Sequence, residues 1–168
     1  MHLFLNTEFS DQNLLKAELI SLALVSEDGA RELYFERDPL PQRCSAFVRR
    51  HVIPLLDRGP SAVPDHEFTR RLRAFMRGIK DPIVFCDYPG DKFLMQVGLT
   101  GFTLPRAQLA DCGLISAIRW NIVDDAELVA RIERWFAAHG EARRHHALVD
   151  ARAFRDCWLA HRWRSSCW

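Results

Sequence analysis

The sequence has no excess of charge of either sign, because 23 lysines and arginines are balanced by 22 aspartates and glutamates. A strongly basic chain would have indicated nucleic acid as a partner. Near neutrality removes that indication but does not exclude the partner, since a basic patch beside an acidic metal site would cancel in the sum.

Long apolar runs and cysteine pairs are also missing. No stretch approaches the length of a transmembrane helix, and the N-terminal segment becomes polar too early for a signal peptide. The cysteines are odd in number, scattered and free of CxxC pairs: Cys44, Cys86, Cys112, Cys157 and Cys167. This argues against a disulfide framework and a structural zinc site. We therefore expect a cytoplasmic protein without membrane contact.

The apolar share of 48% is enough for an ordinary core, and the length suggests a single domain spanning residues 1–168. Apolar runs predict strands at residues 3–9, 18–25 and 31–36, and the turn after the second strand predicts an antiparallel meander. A fourth strand at residues 82–87 follows a helix and is expected to be parallel.

The rest of the chain has mainly helical periodicity. Helices are predicted at residues 43–56, 65–78, 91–97, 124–139 and 145–163, with a loop at 60–64. A fifth strand is expected near Phe102. This order predicts an α/β fold, a mixed five-stranded sheet flanked by helices on both sides.

A polar pair interrupts the first strand. Asn6 and Glu8 lie two residues apart and therefore project from the same face, between the apolar Leu5 and Phe9. Burying such a pair is costly unless it binds something. The alternative is that Glu8 pairs with an arginine or lies at the end of the sheet.

Two further segments carry candidate residues. Asp91 follows the fourth strand, where the ligand crevice of an α/β sheet often lies, although it could simply cap a helix, and Asp87 is a rival. His145 and Asp150 lie five residues apart, so both reach one site only if His145 precedes the last helix. Otherwise they are a surface histidine and an ordinary helix acid.

Together, FLNTE at residues 4–8, GDKFL at 90–94 and HHALVDA at 145–151 resemble, in order and spacing, the three motifs of the DEDDh family of 3′–5′ exonucleases. The resemblance covers residues 3 to about 157, and its last motif is the most specific. It is closest to a small bacterial branch typified by the mycobacterial ribonuclease that acts on adenylate-containing RNA.

The resemblance implies a ribonuclease-H-like fold, a homodimer and two-metal hydrolysis of phosphodiester bonds with Mg²⁺ or Mn²⁺. It implies that Glu8 and Asp150 hold one ion, that Asp91 helps to position the second, and that His145 is the general base. Carboxylates suit these hard ions, and a histidine can accept a proton near neutral pH. His146, next to His145, would be structural.

Asn6 stands where the family has the aspartate that bridges both ions, and a neutral amide is a poor bridge. It is either an engineered substitution or a natural variant with weak or no activity. The first hypothesis is an exonuclease acting on RNA, single-stranded DNA or short oligonucleotides. The alternatives are a catalytically silent nucleic-acid-binding module and a structural domain whose acids form salt bridges.

Other residues are candidates for contacts with the substrate. Thr7 is a candidate substrate-binding residue, and Phe9 and Tyr88 could stack on a base, or could belong to the core. Candidate phosphate contacts, which could equally be a solvated basic face, are Arg106, Arg119, Arg143 and Arg144. A small domain cannot easily bury Trp158, Trp163 and Trp168 together, which favours a dimer interface near the C-terminus.

Overall fold

A computed structural model describes the backbone of residues 1–139 and 143–165 and the side chains of 1–139 and 143–161. The described residues form six strands: β1 (His2–Phe9), β2 (Leu19–Ser26), β3 (Glu32–Arg37), β4 (Ala62–Val63), β5 (Ile83–Cys86) and β6 (Arg119–Ile122). They also form six α-helices: α1 (Ala46–His51), α2 (Asp65–Arg77), α3 (Pro89–Thr100), α4 (Arg106–Leu109), α5 (Ala126–Ala138) and α6 (Ala147–Ser165). None of these helices is both long and apolar enough to cross a lipid bilayer.

The strands form one mixed sheet in the order β4-β3-β2-β1-β5-β6. The predicted meander is confirmed, because β1 pairs antiparallel with β2, and β2 pairs antiparallel with β3. The parallel pairing of β5 with β1 is also confirmed. The chain is therefore an α/β protein whose mixed sheet is flanked by helices.

The predicted strand count of five is wrong, and so is the strand expected near Phe102. Gly101 ends α3 in the left-handed conformation, and Phe102 also has a positive φ of 53°, which is incompatible with a strand. The missed strands are β4, inside the segment predicted to be a loop, and β6, which pairs parallel with β5. Both are short strands at the edges of the sheet, where apolar alternation is weak.

Several helix boundaries also differ from the predictions. The helix expected at residues 43–56 is only α1 followed by a 3₁₀ turn at Ile53–Leu55, because Pro54 prevents continuation. The helix expected from residue 91 begins earlier, at Pro89, which suits the first helical position. The last helix begins at Ala147 and not at residue 145.

The two faces of the sheet pack against different helices. Leu3 and Leu5 of β1 belong to a core with α2 and α3. Phe4 belongs to a second core with Phe154 and Trp158 of α6. Since side chains alternate along a strand, Asn6 and Glu8 continue the row of Phe4 toward α6.

Trp158, the first of the three tryptophans near the C-terminus, is buried. Trp158 is only 8% exposed and packs edge-on against Phe4 and Phe85, with ring centroids 5.1 and 5.0 Å away. This side chain therefore fills the core and is not part of an exposed patch. The Trp163 side chain and Trp168 lie outside the described residues.

Candidate metal centre

The end of β1 contributes a buried carboxylate to the site. Glu8 is 8% exposed, and among the described residues its carboxylate has neither a hydrogen bond nor an ion pair. Burial, followed by the charges of Asp150 and Asp91, raises its pKa well above the ordinary value. No arginine in the described part of the chain therefore neutralises Glu8, contrary to the structural alternative.

The first turn of α6 contributes Asp150. One carboxylate oxygen, Oδ2, accepts a hydrogen bond of 3.2 Å from the His145 backbone N–H. The other oxygen, Oδ1, is buried without a hydrogen-bond partner among the described residues. Burial is the main cause that raises the pKa of Asp150 to about 7, although the His145 amide, Arg144 and the Asn6 side chain oppose the rise.

His145 lies in the turn immediately before α6, with a positive φ of 71°. Its ring contacts Phe47 of α1 edge-on, with centroids 5.0 Å apart. Burial, followed by the positive charges of Arg144 and His51, lowers its pKa. The position ahead of the helix is the one that the spacing to Asp150 requires.

These three side chains converge. A carboxylate oxygen of Glu8, a ring nitrogen of His145 and a carboxylate oxygen of Asp150 all lie within 4.8 Å of one another. Buried carboxylates so close together repel, and the orphaned Asp150 oxygen needs a partner. A divalent cation would satisfy both requirements, so the donor set fits a hard metal ion.

Asp91 approaches the same cleft from α3. It is 3% exposed, and its Oδ1 accepts hydrogen bonds from the Thr7 backbone N–H at 3.1 Å and the Thr7 hydroxyl at 2.5 Å. Burial is the largest cause that raises its pKa well above the ordinary value. Asp91 lines the cleft with Glu8 and Asp150 but is not part of the cluster of three.

Thr7 is itself only 3% exposed. Its hydroxyl and its backbone amide are both directed at Asp91, so the structure gives this predicted substrate contact a positioning role. The alternation of β1 explains the arrangement, because Thr7 projects toward α3 whereas its neighbours Asn6 and Glu8 project toward α6.

The cleft has a volume of about 410 Å³ and an aromatic wall. The rings of Phe9 and Tyr88 stack with centroids 5.9 Å apart and an angle of 13° between their planes. Gly90 makes room for this stack, because a Cβ atom there would lie 2.2 Å from a Tyr88 ring carbon. Tyr88 is 40% exposed, so the stack is accessible from the cleft.

A third aromatic residue of the cleft, Phe47, was not predicted from the sequence. Phe47 is 45% exposed and touches both His145 and His51. Phe47 lies in the helix predicted at residues 43–56 and was not predicted to belong to the site. No local signal distinguishes it from a core residue, because its exposure depends on how the short α1 lies against the turn that carries His145.

His146 has the structural position expected for it. The ring is 1% exposed and packs on Tyr34, with centroids 4.5 Å apart. Its Nε2 lies 3.4 Å from Asp57 Oδ2, but the alignment is too poor for a hydrogen bond. Burial is the main cause that lowers its pKa.

The candidate phosphate contacts fall into two groups. Arg143 donates to Asp57 and to the Leu55 carbonyl, and Arg144 forms an ion pair with Glu133 while lining a smaller cavity that adjoins the cleft. Arg106 and Arg119 are exposed at the start of α4 and in β6, and they line neither cavity. Only Arg144 therefore lies near the carboxylates.

No protein-family model matches the chain, and no curated protein matches it.

Proposed function

We propose that this chain is a metal-dependent 3′–5′ exonuclease with a ribonuclease-H-like fold, acting on RNA, single-stranded DNA or short oligonucleotides. The observation that carries the proposal is the convergence of Glu8, His145 and Asp150 within 4.8 Å, where the Glu8 carboxylate and the Oδ1 atom of Asp150 have no hydrogen-bond partner among the described residues. The DEDDh resemblance adds the reaction class, and it spans the residues that converge.

In this proposal Glu8 and Asp150 hold a divalent ion, Mg²⁺ or Mn²⁺, with Asp91 and Asn6 beside a second. The bound ions would make a water more acidic and neutralise charge on the attacked phosphate. His145 takes the proton of the attacking water. Its lowered pKa keeps the ring neutral, and therefore able to accept a proton, at pH 7.

Substrate recognition follows from the shape of the cleft. The stacked Phe9 and Tyr88 offer an aromatic surface on which the terminal base can stack without sequence preference. Preference for RNA is proposed from the bacterial branch that the chain resembles. That branch also supports a homodimer, for which light scattering is the test.

A cytoplasmic location is proposed from the state of the cysteines. The four described cysteines, Cys44, Cys86, Cys112 and Cys157, are all unpaired, as expected of a reducing compartment.

The testing experiment compares the native chain with Asn6→Asp on end-labelled single strands of RNA and DNA, with Mg²⁺, Mn²⁺ or a chelator. We expect 3′–5′ shortening that requires the metal and is stronger in Asn6→Asp. Glu8→Gln in the same background is the control and should remove the activity. Metal-independent shortening, or no shortening by Asn6→Asp on any strand, contradicts the proposal.

A second function is favoured by one specific observation. Asn6 offers a neutral amide next to Asp150, where the resemblance places an anion. The native chain could then bind a single strand without cleaving it. Fluorescence anisotropy that detects binding by a native chain with no cleavage would favour this silent module.

A further inference from the structure

Asp87 is an acidic residue that directly follows β5. The parallel register of β1 and β5 pairs His2 with Ile83 and Phe4 with Phe85. Continuing this register by two residues brings Asn6 opposite Asp87. The observed pairing ends at Phe4 and Phe85, and Asp87 directly follows the last residue of β5.

The same register fixes the side on which Asp87 projects. Phe4 and Phe85 stack with centroids 5.4 Å apart, and Phe4 also packs edge-on against Phe154 of α6. Side chains two residues further along a strand project from the same face. Asn6 and Asp87 therefore follow these phenylalanines on the side where α6 carries Asp150.

The cavities around the site agree with this placement. Four residues line both the cleft of about 410 Å³ and the adjoining cavity of about 150 Å³: Asn6, Asp87, His145 and Asp150. Among the described residues no other residue forms a hydrogen bond or ion pair with the Asp87 carboxylate. Asp87 is also exposed, so its carboxylate can turn toward an ion in the cleft.

The carboxylates at the site carry too little negative charge, without Asp87, to balance two divalent ions. Glu8, Asp91 and Asp150 supply three negative charges when ionised, fewer than the four positive charges of two divalent ions. A neutral amide at Asn6 adds no charge. A fourth carboxylate, from Asp87, brings the negative charge to four and so balances two divalent ions.

We infer that Asp87 supplies the anionic metal ligand that is missing at position 6, so that the negative charge lies just after β5 and not in β1. The inference rests on the proposed function, because it needs the metal centre to exist. It favours Asn6 as a natural feature of this chain, since the compensating acid is already in place beside it.

Isothermal titration with Mn²⁺ tests the inference without any substrate. Loss of a residue that merely supports a metal ligand weakens metal affinity about 10- to 100-fold, so Asp87→Asn should weaken Mn²⁺ binding by at least about 10-fold. Asp111→Asn is the matched control, because it removes one charge from an exposed acid that lines neither cavity. It should leave the affinity unchanged.

The second arm uses the Asn6→Asp background, where an anion at position 6 makes Asp87 redundant. We expect Asp87→Asn to weaken Mn²⁺ binding by less than about 3-fold there, because residues that share a partner act non-additively. An equal loss in both backgrounds would mean that Asp87 does not substitute for the missing anion, and this would overturn the inference.

Failure of the inference and failure of the metal centre are distinguishable. If Glu8→Gln weakens Mn²⁺ binding at least about 10-fold while Asp87→Asn behaves like Asp111→Asn, the centre stands and the role of Asp87 is overturned. If neither Glu8→Gln nor Asp150→Asn changes Mn²⁺ binding, both are overturned. The melting temperature of each metal-free variant checks that it is folded.

Discussion

The Thr7 hydroxyl and the Asp91 carboxylate are joined by a 2.5 Å hydrogen bond inside the protein, and the Thr7 backbone amide donates to the same oxygen at 3.1 Å. This pair connects β1 to the first turn of α3, more than eighty residues along the chain. The two hydrogen bonds from Thr7 replace those that water would make to the buried Asp91 carboxyl group, and they fix this group at the edge of the cleft.

We predict that Thr7→Val lowers the free energy of unfolding by about 1–3 kcal/mol. Valine preserves the shape of threonine but leaves the buried carboxyl group of Asp91 with one hydrogen bond fewer. Thr7→Ser retains the hydroxyl and is the control, with a smaller loss. Urea denaturation measures both. Equal losses in the two variants would contradict the prediction, because only Thr7→Val removes the hydroxyl that donates to Asp91.

A second prediction concerns the pH dependence of stability without metal. The pKa of Asp150 is raised from 3.8 to about 7 in the folded protein. The folded state therefore binds this proton more tightly than the unfolded state, and its contribution to stability is lost as the pH rises from about 4 to about 7. Asp150→Asn should remove this dependence.

The histidines act in the opposite direction over part of the same range. Burial lowers the pKa of His145 and of His146, so their contribution is lost as the pH falls below the ordinary histidine value. The measurement is therefore the difference in unfolding free energy between the native chain and Asp150→Asn at each pH. A difference that is constant between pH 4 and pH 8 would contradict the prediction.

The local part of the site could be predicted from the sequence. Alternation along β1 places Asn6 and Glu8 on one face, and the spacing of His145 and Asp150 requires a turn before a helix. Both are properties of a few consecutive residues, for which backbone geometry is sufficient. The meander of the first three strands was predictable for the same reason.

The remainder depends on contacts between distant segments. The hydrogen bonds of Thr7 to Asp91 and the cavities that Asn6 and Asp87 both line depend on the pairing of β1 with β5, whose register no local pattern specifies. The edge strand β6 was missed because its residues are largely exposed and show no clear alternation. From the sequence, Asp87 could be predicted only as an alternative to Asp91 for the acidic site residue after the fourth strand.

The third prediction concerns Gly90, which makes room for the aromatic stack. A Cβ atom at this position would lie 2.2 Å from a Tyr88 ring carbon and 2.9 Å from the Leu14 side chain. Gly90→Ala should therefore displace Tyr88 and weaken binding of a single strand. Stacking of one base contributes about 1–3 kcal/mol, so we expect a loss of about 5- to 150-fold in affinity.

Fluorescence anisotropy with a labelled single strand and Ca²⁺ measures this loss without requiring cleavage. Tyr88→Ala should reproduce the effect of Gly90→Ala, whereas Tyr88→Phe keeps the ring and should bind normally. Weak binding by Gly90→Ala together with normal binding by Tyr88→Ala would show that the ring is not part of the binding surface.

The last prediction concerns His145 as the general base. A positioned base contributes about 10²- to 10⁴-fold to the rate, so His145→Ala in the Asn6→Asp background should lower turnover by about that factor. Because its pKa is lowered by burial and by Arg144, the rate of the parent should rise with pH through a midpoint below 6.5. His145→Ala should lose that rise.

Metal binding separates a base from a ligand, which matters because a His145 ring nitrogen lies within 4.8 Å of the Glu8 and Asp150 oxygens. We expect Mn²⁺ affinity to be nearly unchanged in His145→Ala. A loss of affinity equal to that of Glu8→Gln would make His145 a ligand. His146→Ala is the matched control for the register: it should destabilise the protein by opening a cavity beside Tyr34, yet leave turnover of the folded fraction and its pH midpoint unchanged.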